Sequence, residues 1–279
     1  MNTLPSLYLS HGSPMTALEP RAAGAFMQRL GPAIDRTFGR PKAVLAISAH
    51  SLMREPVLLG AAQHQAVYDF GGFDERLYQM RYDAPGAPAL AQQVQRLIQA
   101  AGLPANVVDQ GGLDHGIWTV LKFAWPAADV PVLPLAWVPG WAPQKQFELG
   151  QALAALAAEG VLVLGSGSIT HNLRRVFADG LNSGVDRPEI PQSAAFRQWL
   201  LERSAARDWD ALFAYRTLAP HAVDMHPTDE HLLPWYVAAG AGGREAVPLR
   251  LHDSVTYGCL GMDAYAFGPR AAAMLAALQ

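Results

Sequence analysis

The amino-acid sequence predicts an α/β fold, a single domain spanning residues 1–279 in which helices flank a mostly parallel central sheet. Short apolar runs bounded by turn residues, such as residues 44–47 after Pro41, are typical of strands buried on both faces of a parallel sheet. Helical segments alternate with these runs. No repeat, low-complexity linker or charge-marked boundary divides the chain, and 279 residues with 51% hydrophobic content can bury a large core.

In the first half of the chain, the apolar patterns predict four strands and three helices. Pro131 and Pro134 interrupt the last of these strands, which favours a position near the sheet edge because proline cannot donate a ladder hydrogen bond. The aromatic, glycine-rich stretch 65–73 is too long for a hairpin turn and is predicted to form a lid or pocket wall. The predicted elements are strands at 7–9, 42–48, 106–109 and 130–138 and helices at 21–34, 88–101 and 117–123.

The second half of the chain continues the alternation. Thr228 is predicted to cap a helix whose first turn is acidic and which ends at Gly240. The polar stretch 178–192 is predicted to be a loop. The remaining predicted elements are helices at 144–159, 193–206, 208–215 and 269–278 and strands at 161–165, 247–252 and 262–267.

Three of the predicted strands run into a histidine. His11 follows the first strand, His50 the second, and His171 the strand that starts at Val161. The carboxyl ends of parallel strands meet at one edge of a sheet, which is where open α/β sheets bind ligands. Imidazoles that converge in a cleft commonly bind zinc or Fe(II). The sequence therefore predicts a metal site at this edge.

A further ligand is predicted from the segment that Thr228 opens. His231 is the preferred candidate, while Asp229 and Glu230 are interpreted as complements to the helix dipole. Spacing alone does not separate an imidazole from a carboxylate here. The predicted metal ligands are therefore either three histidines or two histidines and a carboxylate.

The stretch Gly165-Ser166-Gly167-Ser168 permits several interpretations. A dinucleotide fingerprint requires a third glycine where Thr170 stands, and a nucleophile elbow requires Gly-x-Ser-x-Gly. Neither pattern fits. We interpret the stretch as a flexible loop that lets His171 reach inward.

Several other residue types could contribute to a site. Asp114 precedes His115 on a glycine-flanked loop and could orient it, although adjacent side chains often point apart. Arg174 and Arg175 could hold a substrate carboxylate, although a solvated helix face is the simpler interpretation. Three other histidines, His64, His221 and His252, are interpreted as structural. His226, which precedes Pro227, is interpreted as a residue that supports the site or as a turn residue. Aromatic side chains available to line a pocket, most of them expected in the core, are Tyr68, Phe70, Phe73, Trp118, Trp137, Trp141 and Tyr257.

Composition narrows the classes of partner. The formal net charge is −3 and no basic patch stands out, so nucleic acid and anionic membranes are poor candidates. Cys259 is the only cysteine, which excludes an internal disulfide and a thiolate metal site. The N-terminus lacks the pattern of a signal peptide, and no apolar stretch approaches the roughly 20 residues of a membrane span. We expect a cytoplasmic protein with a small-molecule substrate.

Six motifs, taken together and in order, resemble the class III extradiol ring-cleaving dioxygenases, closest to the DOPA 4,5-dioxygenase extradiol branch. The resemblance spans nearly the whole chain. The motifs are Ser10-His11-Gly12-Ser13-Pro14, Ser48-Ala49-His50, Tyr68-Asp69-Phe70-Gly71-Gly72-Phe73, Leu113-Asp114-His115-Gly116, His171-Asn172-Leu173 and Pro227-Thr228-Asp229-Glu230-His231.

The resemblance implies residue roles. His11 and His50 match the two metal histidines, and His231 matches the third ligand, which is glutamate in more distant protocatechuate-type relatives. His171 matches an acid/base histidine that could be a fourth ligand in a zinc-containing site. His115 matches a histidine that contacts substrate.

The implied activity is insertion of O₂ into a substituted catechol such as DOPA, giving a muconic semialdehyde. The implied cofactor is Fe(II) for oxygen chemistry, or zinc as the bound metal. A zinc-dependent hydrolase and a non-catalytic metal-binding protein on the same fold are the alternatives. Monomer and small homo-oligomer both remain open.

Overall fold

Eight strands form the central sheet of the structure, a computed structural model that describes residues 3–177 and 184–279. Four further short strands form two small two-stranded ribbons. The strands are β1 (Ser6–Ser10), β2 (Ala43–Ser48), β3 (Val57–Leu59), β4 (Gln63–His64), β5 (Ala84–Pro85), β6 (Asn106–Val108), β7 (Val132–Ala136), β8 (Val161–Gly167), β9 (Leu249–His252), β10 (Val255–Thr256), β11 (Leu260–Gly261) and β12 (Ala264–Phe267).

Helices connect and cover these strands. They are α1 (Arg21–Phe38), α2 (Pro88–Ala100), α3 (His115–Ala124), α4 (Pro143–Ala152), α5 (Leu173–Val176), α6 (Pro191–Ala205), α7 (Trp209–Phe213), α8 (Tyr215–Leu218), α9 (Ala222–Met225), α10 (Leu233–Gly242) and α11 (Ala271–Leu278), with 3₁₀ turns at Pro14–Ala17, Glu75–Gln79 and Ala154–Glu159. None of the described helices is long and apolar enough to cross a membrane.

The order of strands in the sheet is β6-β3-β7-β2-β8-β1-β12-β9. The four central strands, β7, β2, β8 and β1, are parallel to one another. Antiparallel pairs occur where β3 meets β7 and where β12 joins β1 and β9. The predicted fold class, an α/β fold with a mostly parallel central sheet flanked by helices, is confirmed.

Apolar packing on both faces explains why the central strands read as continuous apolar runs. Successive side chains of a strand point to opposite faces. In β2, Leu45 and Ile47 join the apolar cluster that contains α4 and α10, whereas Val44 and Ala46 join the cluster that contains α1, α3 and α11. Every residue of β1, β2 and β8 is buried. The sheet is therefore the middle of three layers.

The position predicted for the proline-containing strand is wrong. β7 lies third in the sheet, between β3 and β2, and not at an edge. It pairs with β2 over Val132–Pro134, but β3 pairs only with Leu135 and Ala136. The short partner on one side accommodates prolines at a position that a full ladder would not tolerate.

Several helix boundaries also differ from prediction. The helix predicted at 144–159 is α4 followed by a separate 3₁₀ turn. Thr228 does not cap a helix, because α10 begins only at Leu233, and α10 continues past Gly240 to Gly242. At Gly240 a Cβ would lie 2.0 Å from the carbonyl oxygen of Phe147, so this glycine permits close approach of α4 and is not a helix end. The predicted loop at 178–192 falls partly outside the described residues, and α6 already starts at Pro191.

Candidate metal centre

The carboxyl ends of β1 and β2 place two histidines on either side of β8. The backbone N–H of His11 donates to the carbonyl of Gly167 (2.9 Å), and the N–H of Ala49 donates to the carbonyl of Ser166 (3.0 Å). These bonds continue the parallel ladders past the strand ends. The Nε2 atoms of His11 and His50 lie 3.1 Å apart.

His231 comes from the turn before α10 and lies over the end of β8. Its carbonyl oxygen accepts hydrogen bonds from the N–H of Ser168 (3.0 Å) and the hydroxyl of Tyr8 (2.8 Å). A Cβ at Gly167 would lie 2.0 Å from this same oxygen. The glycines of β8 therefore allow the His231 segment to rest directly on the strand. Residues 165–167 are strand, so the predicted flexible loop is wrong.

Ligand nitrogens of His11, His50 and His231 all lie within 4.8 Å of one another. In each of the three rings Nδ1 lies near an oxygen atom. Nδ1 of His11 lies 2.9 Å from the hydroxyl oxygen of Ser166. Nδ1 of His50 lies 3.4 Å from a carboxylate oxygen of Asp69, and Nδ1 of His231 lies 3.1 Å from a carboxylate oxygen of Glu230. The Ser166 hydroxyl donates to the carbonyl of Gly116 and so accepts from His11.

This bonding pattern has a consequence for the ring tautomers. A carboxylate only accepts hydrogen bonds, so Nδ1 of His231, which bonds Glu230, carries the proton. The 3.4 Å contact between Nδ1 of His50 and the Asp69 carboxylate favours the same tautomer in His50. The same holds for His11, whose serine partner already donates elsewhere. Nε2 of each ring is left as a lone pair available to a cation. Orientation of a ligating histidine through its other nitrogen is a regular feature of metal sites.

Two further histidines flank this trio. The ring of His171 stacks on that of His231, with centroids 3.4 Å apart and planes within 10°. The ring centroid of His115, at the first position of α3, lies 4.1 Å from that of His50 and 5.2 Å from that of His11. The structure thus brings together all five histidines that the sequence nominated. Among the described residues, His171 forms a close ligand group with Glu230 and His231, and not with His11 and His50.

Burial keeps these imidazoles neutral. It lowers the pKa of His11 and His231 well below the usual range, and the neighbouring histidines lower it further. Burial, followed by repulsion from His115, lowers the pKa of His50 to about 4. Burial, followed by repulsion from His226, lowers that of His171 to about 3. Four neutral imidazoles are therefore available near pH 7, and neutral imidazole is the form that binds a metal.

The aspartate next to His115 in sequence does not orient it. The buried Asp114 accepts hydrogen bonds from the hydroxyls of Ser48 and Ser51, each at 2.6 Å. The carboxylate that contacts His115 is Asp69, whose oxygens both lie 3.0 Å from Nδ1. Burial acts to raise the pKa of Asp69, but its interactions with His115 outweigh burial and lower the pKa overall.

The two acidic residues before His231 have different partners. Asp229 accepts hydrogen bonds from the hydroxyl of Tyr215 and from the guanidinium of Arg216, which turns it away from the trio. Glu230 bonds Nδ1 of His231. Neither residue lies in the first turn of α10, so their predicted role as dipole complements is wrong.

The aromatic stretch 65–73 forms a wall beside His115. The N–H of Val67 donates to the carbonyl of Leu113 (2.7 Å), and the indole N–H of Trp118 donates to the carbonyl of Val67 (3.1 Å). The ring of Phe70 meets His115 edge to face at 5.6 Å. Of the other aromatic candidates, Trp118 and Trp137 are buried in the core.

The remaining sequence candidates lie outside the trio. Arg175 pairs with Asp224, and Arg174 is exposed on α5. His226 is buried and its Nε2 lies 2.8 Å from the carbonyl oxygen of Ile169. His64 is a buried residue of β4, His221 is exposed at the start of α9, and His252 stacks on Phe26.

Sequence reasoning missed the supporting residues Asp69, Ser166 and Tyr8. Asp69 and Ser166 both lie within motifs that were noticed, but their partners are 46 and 155 residues away along the chain. The donor set itself fits a first-row divalent metal, because three oriented and neutral imidazoles suit zinc and iron alike.

Comparison with known proteins identifies the family of the chain. The family model described as the catalytic LigB subunit of aromatic ring-opening dioxygenase matches residues 5–268. A Beta vulgaris protein named 4,5-DOPA dioxygenase extradiol is 36% identical over 271 residues, covering 95% of this chain and 97% of that protein. An Escherichia coli K12 protein with the same name is 33% identical over 266 residues, covering 93% of each chain.

A solved structure agrees as well. The crystal structure of an uncharacterized protein from Escherichia coli K12 superimposes with a TM-score of 0.74 at 27% identity, covering 95% of this chain and all of that one. The resemblance seen in the six motifs is thereby confirmed. The chain belongs to the LigB family and is an extradiol aromatic ring-opening dioxygenase, an enzyme of a metal-dependent family.

Proposed function

We propose that the enzyme opens the ring of a substituted catechol next to its two hydroxyls, with insertion of O₂, to give a muconic semialdehyde. DOPA is the first candidate substrate, because it is named for relatives that match over nearly the whole chain. The observation that carries the proposal is the convergence of ligand nitrogens from His11, His50 and His231 within 4.8 Å of one another, beside the rings of His115 and His171.

The proposed ligands are His11, His50 and His231, and the proposed metal for oxygen chemistry is Fe(II). Zinc fits the same three imidazoles and is the alternative resident ion. When bound, a divalent metal lowers the pKa of a catechol hydroxyl and brings O₂ and the ring together.

His171 and His115 are the proposed proton-transfer residues. His171 is neutral near pH 7, so it has a lone pair free for the proton that a catechol hydroxyl loses, and the negative charge of the bound catecholate favours the protonated ring. His115 has Nδ1 committed to Asp69, so Nε2 is the atom through which it contacts substrate or exchanges a proton. Phe70 borders the site on the His115 side, where its ring contacts those of His115 and Trp118.

The catalytic unit is proposed to be one domain, residues 1–279. The terminal helix α11 packs against α1 and β9, so the end of the chain returns to the same apolar layer as the start.

The test is turnover under controlled oxygen. We expect protein loaded with Fe(II) under anaerobic conditions to produce a yellow, near-visible-absorbing semialdehyde when a catechol and O₂ are added. Loading with zinc is the matched control and should give no such product. Absence of ring-opened product across a broad catechol panel, or activity that persists without O₂, would refute the proposal.

A further inference from the structure

We propose that Asp69 is a positioning residue that orients two histidines at once, the metal ligand His50 and the proton-transfer residue His115. The carboxylate lies between the two rings, 3.0 Å from Nδ1 of His115 and 3.4 Å from Nδ1 of His50. The importance of His115 for turnover rests on the proposed function. The effect of Asp69 on metal affinity rests on the proposed ligand role of His50, whereas its effect on the tautomer of His115 rests on neither.

The contacts to His115 define its tautomer. Both oxygens of Asp69 lie 3.0 Å from Nδ1 of His115, and Oδ1 also accepts the backbone N–H of His115 at 2.9 Å. Because an ionised carboxylate has no proton to donate, Nδ1 carries the hydrogen. The lone pair of His115 is thereby confined to Nε2, away from Asp69.

The backbone contact also gives Asp69 a place in the helix. His115 is the first residue of α3, and Asp114, at the cap position, makes no capping bond with its side chain. Asp114 instead bonds Ser48 and Ser51. Asp69 therefore satisfies an N–H at the start of α3 from a distant part of the chain, where the helix dipole favours a negative charge.

The contact to His50 extends the same carboxylate to the metal site. Nε2 of His50 lies 3.1 Å from that of His11, inside the proposed trio, so its Nδ1 faces outward to Asp69. A carboxylate behind a ligating imidazole fixes its orientation and increases its basicity, and loss of such a partner typically costs about 10–100-fold in metal affinity or activity. One side chain here serves both a ligand and a proton-transfer residue.

The loop holds Asp69 in place. Before it, the Val67 N–H donates to the Leu113 carbonyl and the Tyr68 hydroxyl donates to the Met80 carbonyl; after it, the Phe70 carbonyl accepts the hydroxyl of Tyr78. The Asp69 side chain is 22% exposed, so substitution does not open a cavity in the core. This makes Asp69→Asn and Asp69→Ala suitable test variants.

The first readout is the tautomer of His115. Zinc-loaded protein carrying ¹⁵N-labelled histidine reports which ring nitrogen bears the proton, with His115→Gln for assignment. We expect the wild type to show the proton on Nδ1. Asp69→Ala should shift His115 toward the Nε2-protonated form. Asp69→Asn retains an oxygen for the helix N–H, so it should shift the tautomer while keeping the fold.

The second readout is zinc affinity, measured by competition with a chelator. Asp69→Asn and Asp69→Ala should bind zinc about 10–100-fold more weakly than wild type. Asp74→Asn is the matched control, because Asp74 follows on the same loop but its side chain bonds only Arg76 among the described residues. If both Asp69 variants keep the wild-type tautomer and bind zinc within twofold of Asp74→Asn, the proposal is wrong.

Turnover with Fe(II) separates this proposal from the proposed function. If wild type opens a catechol, Asp69→Asn should lower kcat about 10–100-fold with a smaller change in KM, and Asp69→Glu should recover part of the rate that Asp69→Ala loses. Unchanged kcat in Asp69→Asn would contradict the positioning role. If wild type opens no catechol, the proposed function fails, and the tautomer and zinc measurements still decide the role of Asp69.

Discussion

At the scale of single residues, the centre depends on two properties of its imidazoles. The rings are neutral, and Nδ1 of each contacts a protein oxygen, so that Nε2 is left for a metal ion. A buried, unpaired charge is costly, and burial therefore favours the neutral ring. The Nδ1 atom of His11 contacts a hydroxyl group, that of Ser166. The Nδ1 atoms of the other two ligands contact carboxylates, those of Asp69 and Glu230. Their negative charge offsets part of the charge that a divalent cation brings. The centre is thus arranged for a cation before one binds.

A pair of substitutions distinguishes ligands from proton-transfer residues. His50→Ala removes one of three converging nitrogens, so purified protein should retain little metal. His171→Ala removes a ring that stacks on His231 but lies outside the trio, so metal should be retained and turnover lost. Elemental analysis of both proteins, beside a catechol assay, decides the question. Equal loss of metal from the two variants would make His171 a ligand.

At the scale of elements, glycine brings α10 into contact with β8. A Cβ at Gly165 would lie 2.4 Å from the carbonyl oxygen of Pro234, and one at Gly167 would lie 2.0 Å from that of His231. The sequence indicated a loop here because glycine and serine usually interrupt strands. The close approach of a helix, which involves residues about 65 positions later, overrides that local signal.

The distance in sequence between contacting residues explains which parts of the site could be predicted. His11 and His50 directly follow apolar strands, so their common location follows from a parallel sheet. Asp69 and Ser166 act through pairs distant in sequence, and no local pattern distinguishes them from ordinary loop and strand residues. Thr228 matched the local pattern of a helix cap, but the backbone there turns to deliver His231, and the helix starts five residues later.

Substitution of Gly167 tests the contact between strand and helix. Gly167→Ala forces the His231 carbonyl to move, so we expect a loss of about 3 kcal/mol in unfolding free energy, as for overpacked sites. Metal affinity should fall with it. Gly140→Ala is the control, since a Cβ there meets nothing within 4 Å. Urea unfolding and zinc competition measure both effects. A Gly167→Ala protein as stable as Gly140→Ala would contradict the contact.

A buried ion pair anchors the strand that carries His11. Arg197 of α6 bonds the fully buried carboxylate of Asp263 at 2.7 Å, and the carbonyl of Asp263 accepts both the N–H and the hydroxyl of Ser10. Removal of one partner leaves an uncompensated buried charge. The ion pair therefore connects α6, β12 and the end of β1.

Arg197→Met should lower the unfolding free energy by about 3 kcal/mol, because among the described residues Asp263 then keeps only Arg250 as a cationic partner, at 3.3 Å. Arg203→Met on the same helix removes a half-exposed pair with Asp208 and should cost about 1 kcal/mol or less. Urea unfolding of both variants at pH 7 makes the comparison. Equal losses would show that burial of the Arg197 pair has no special consequence.

At the scale of the whole molecule, the three-layer architecture explains why the fold class could be predicted from the sequence. Strands buried on both faces give continuous apolar runs, and the helices between them give amphipathic periods. The order of the strands in the sheet could not be predicted in this way, because it depends on which strands pair with one another. Prolines in β7 suggested an edge, whereas the shortness of β3 allows them inside the sheet.

The many buried histidines make stability depend on pH. Burial lowers the pKa of His226 to about 4, against about 6.5 in an unfolded chain. Between these values the unfolded chain binds a proton and the folded protein does not. Stability is therefore complete above pH 6.5 and falls as the pH drops toward 4. The lowered pKa values of His50 and His171 act in the same direction in metal-free protein.

His226 allows this effect to be measured at a histidine outside the proposed ligands, because among the described residues its Nε2 bonds the carbonyl of Ile169 and its Nδ1 has no hydrogen-bond partner. In His226→Gln the amide can replace the Nε2 donor but cannot be protonated. Since one pKa unit corresponds to about 1.4 kcal/mol, the stability lost between pH 7 and pH 4.5 should be smaller by about 2–3 kcal/mol than in wild type. Urea unfolding in the presence of a chelator measures the loss.

His221→Asn is the control variant, because His221 is exposed and has a positive φ that asparagine tolerates. Its stability should follow the wild-type pH profile. Parallel profiles for His226→Gln and wild type would show that the neutral state of His226 contributes nothing to the acid sensitivity of the fold.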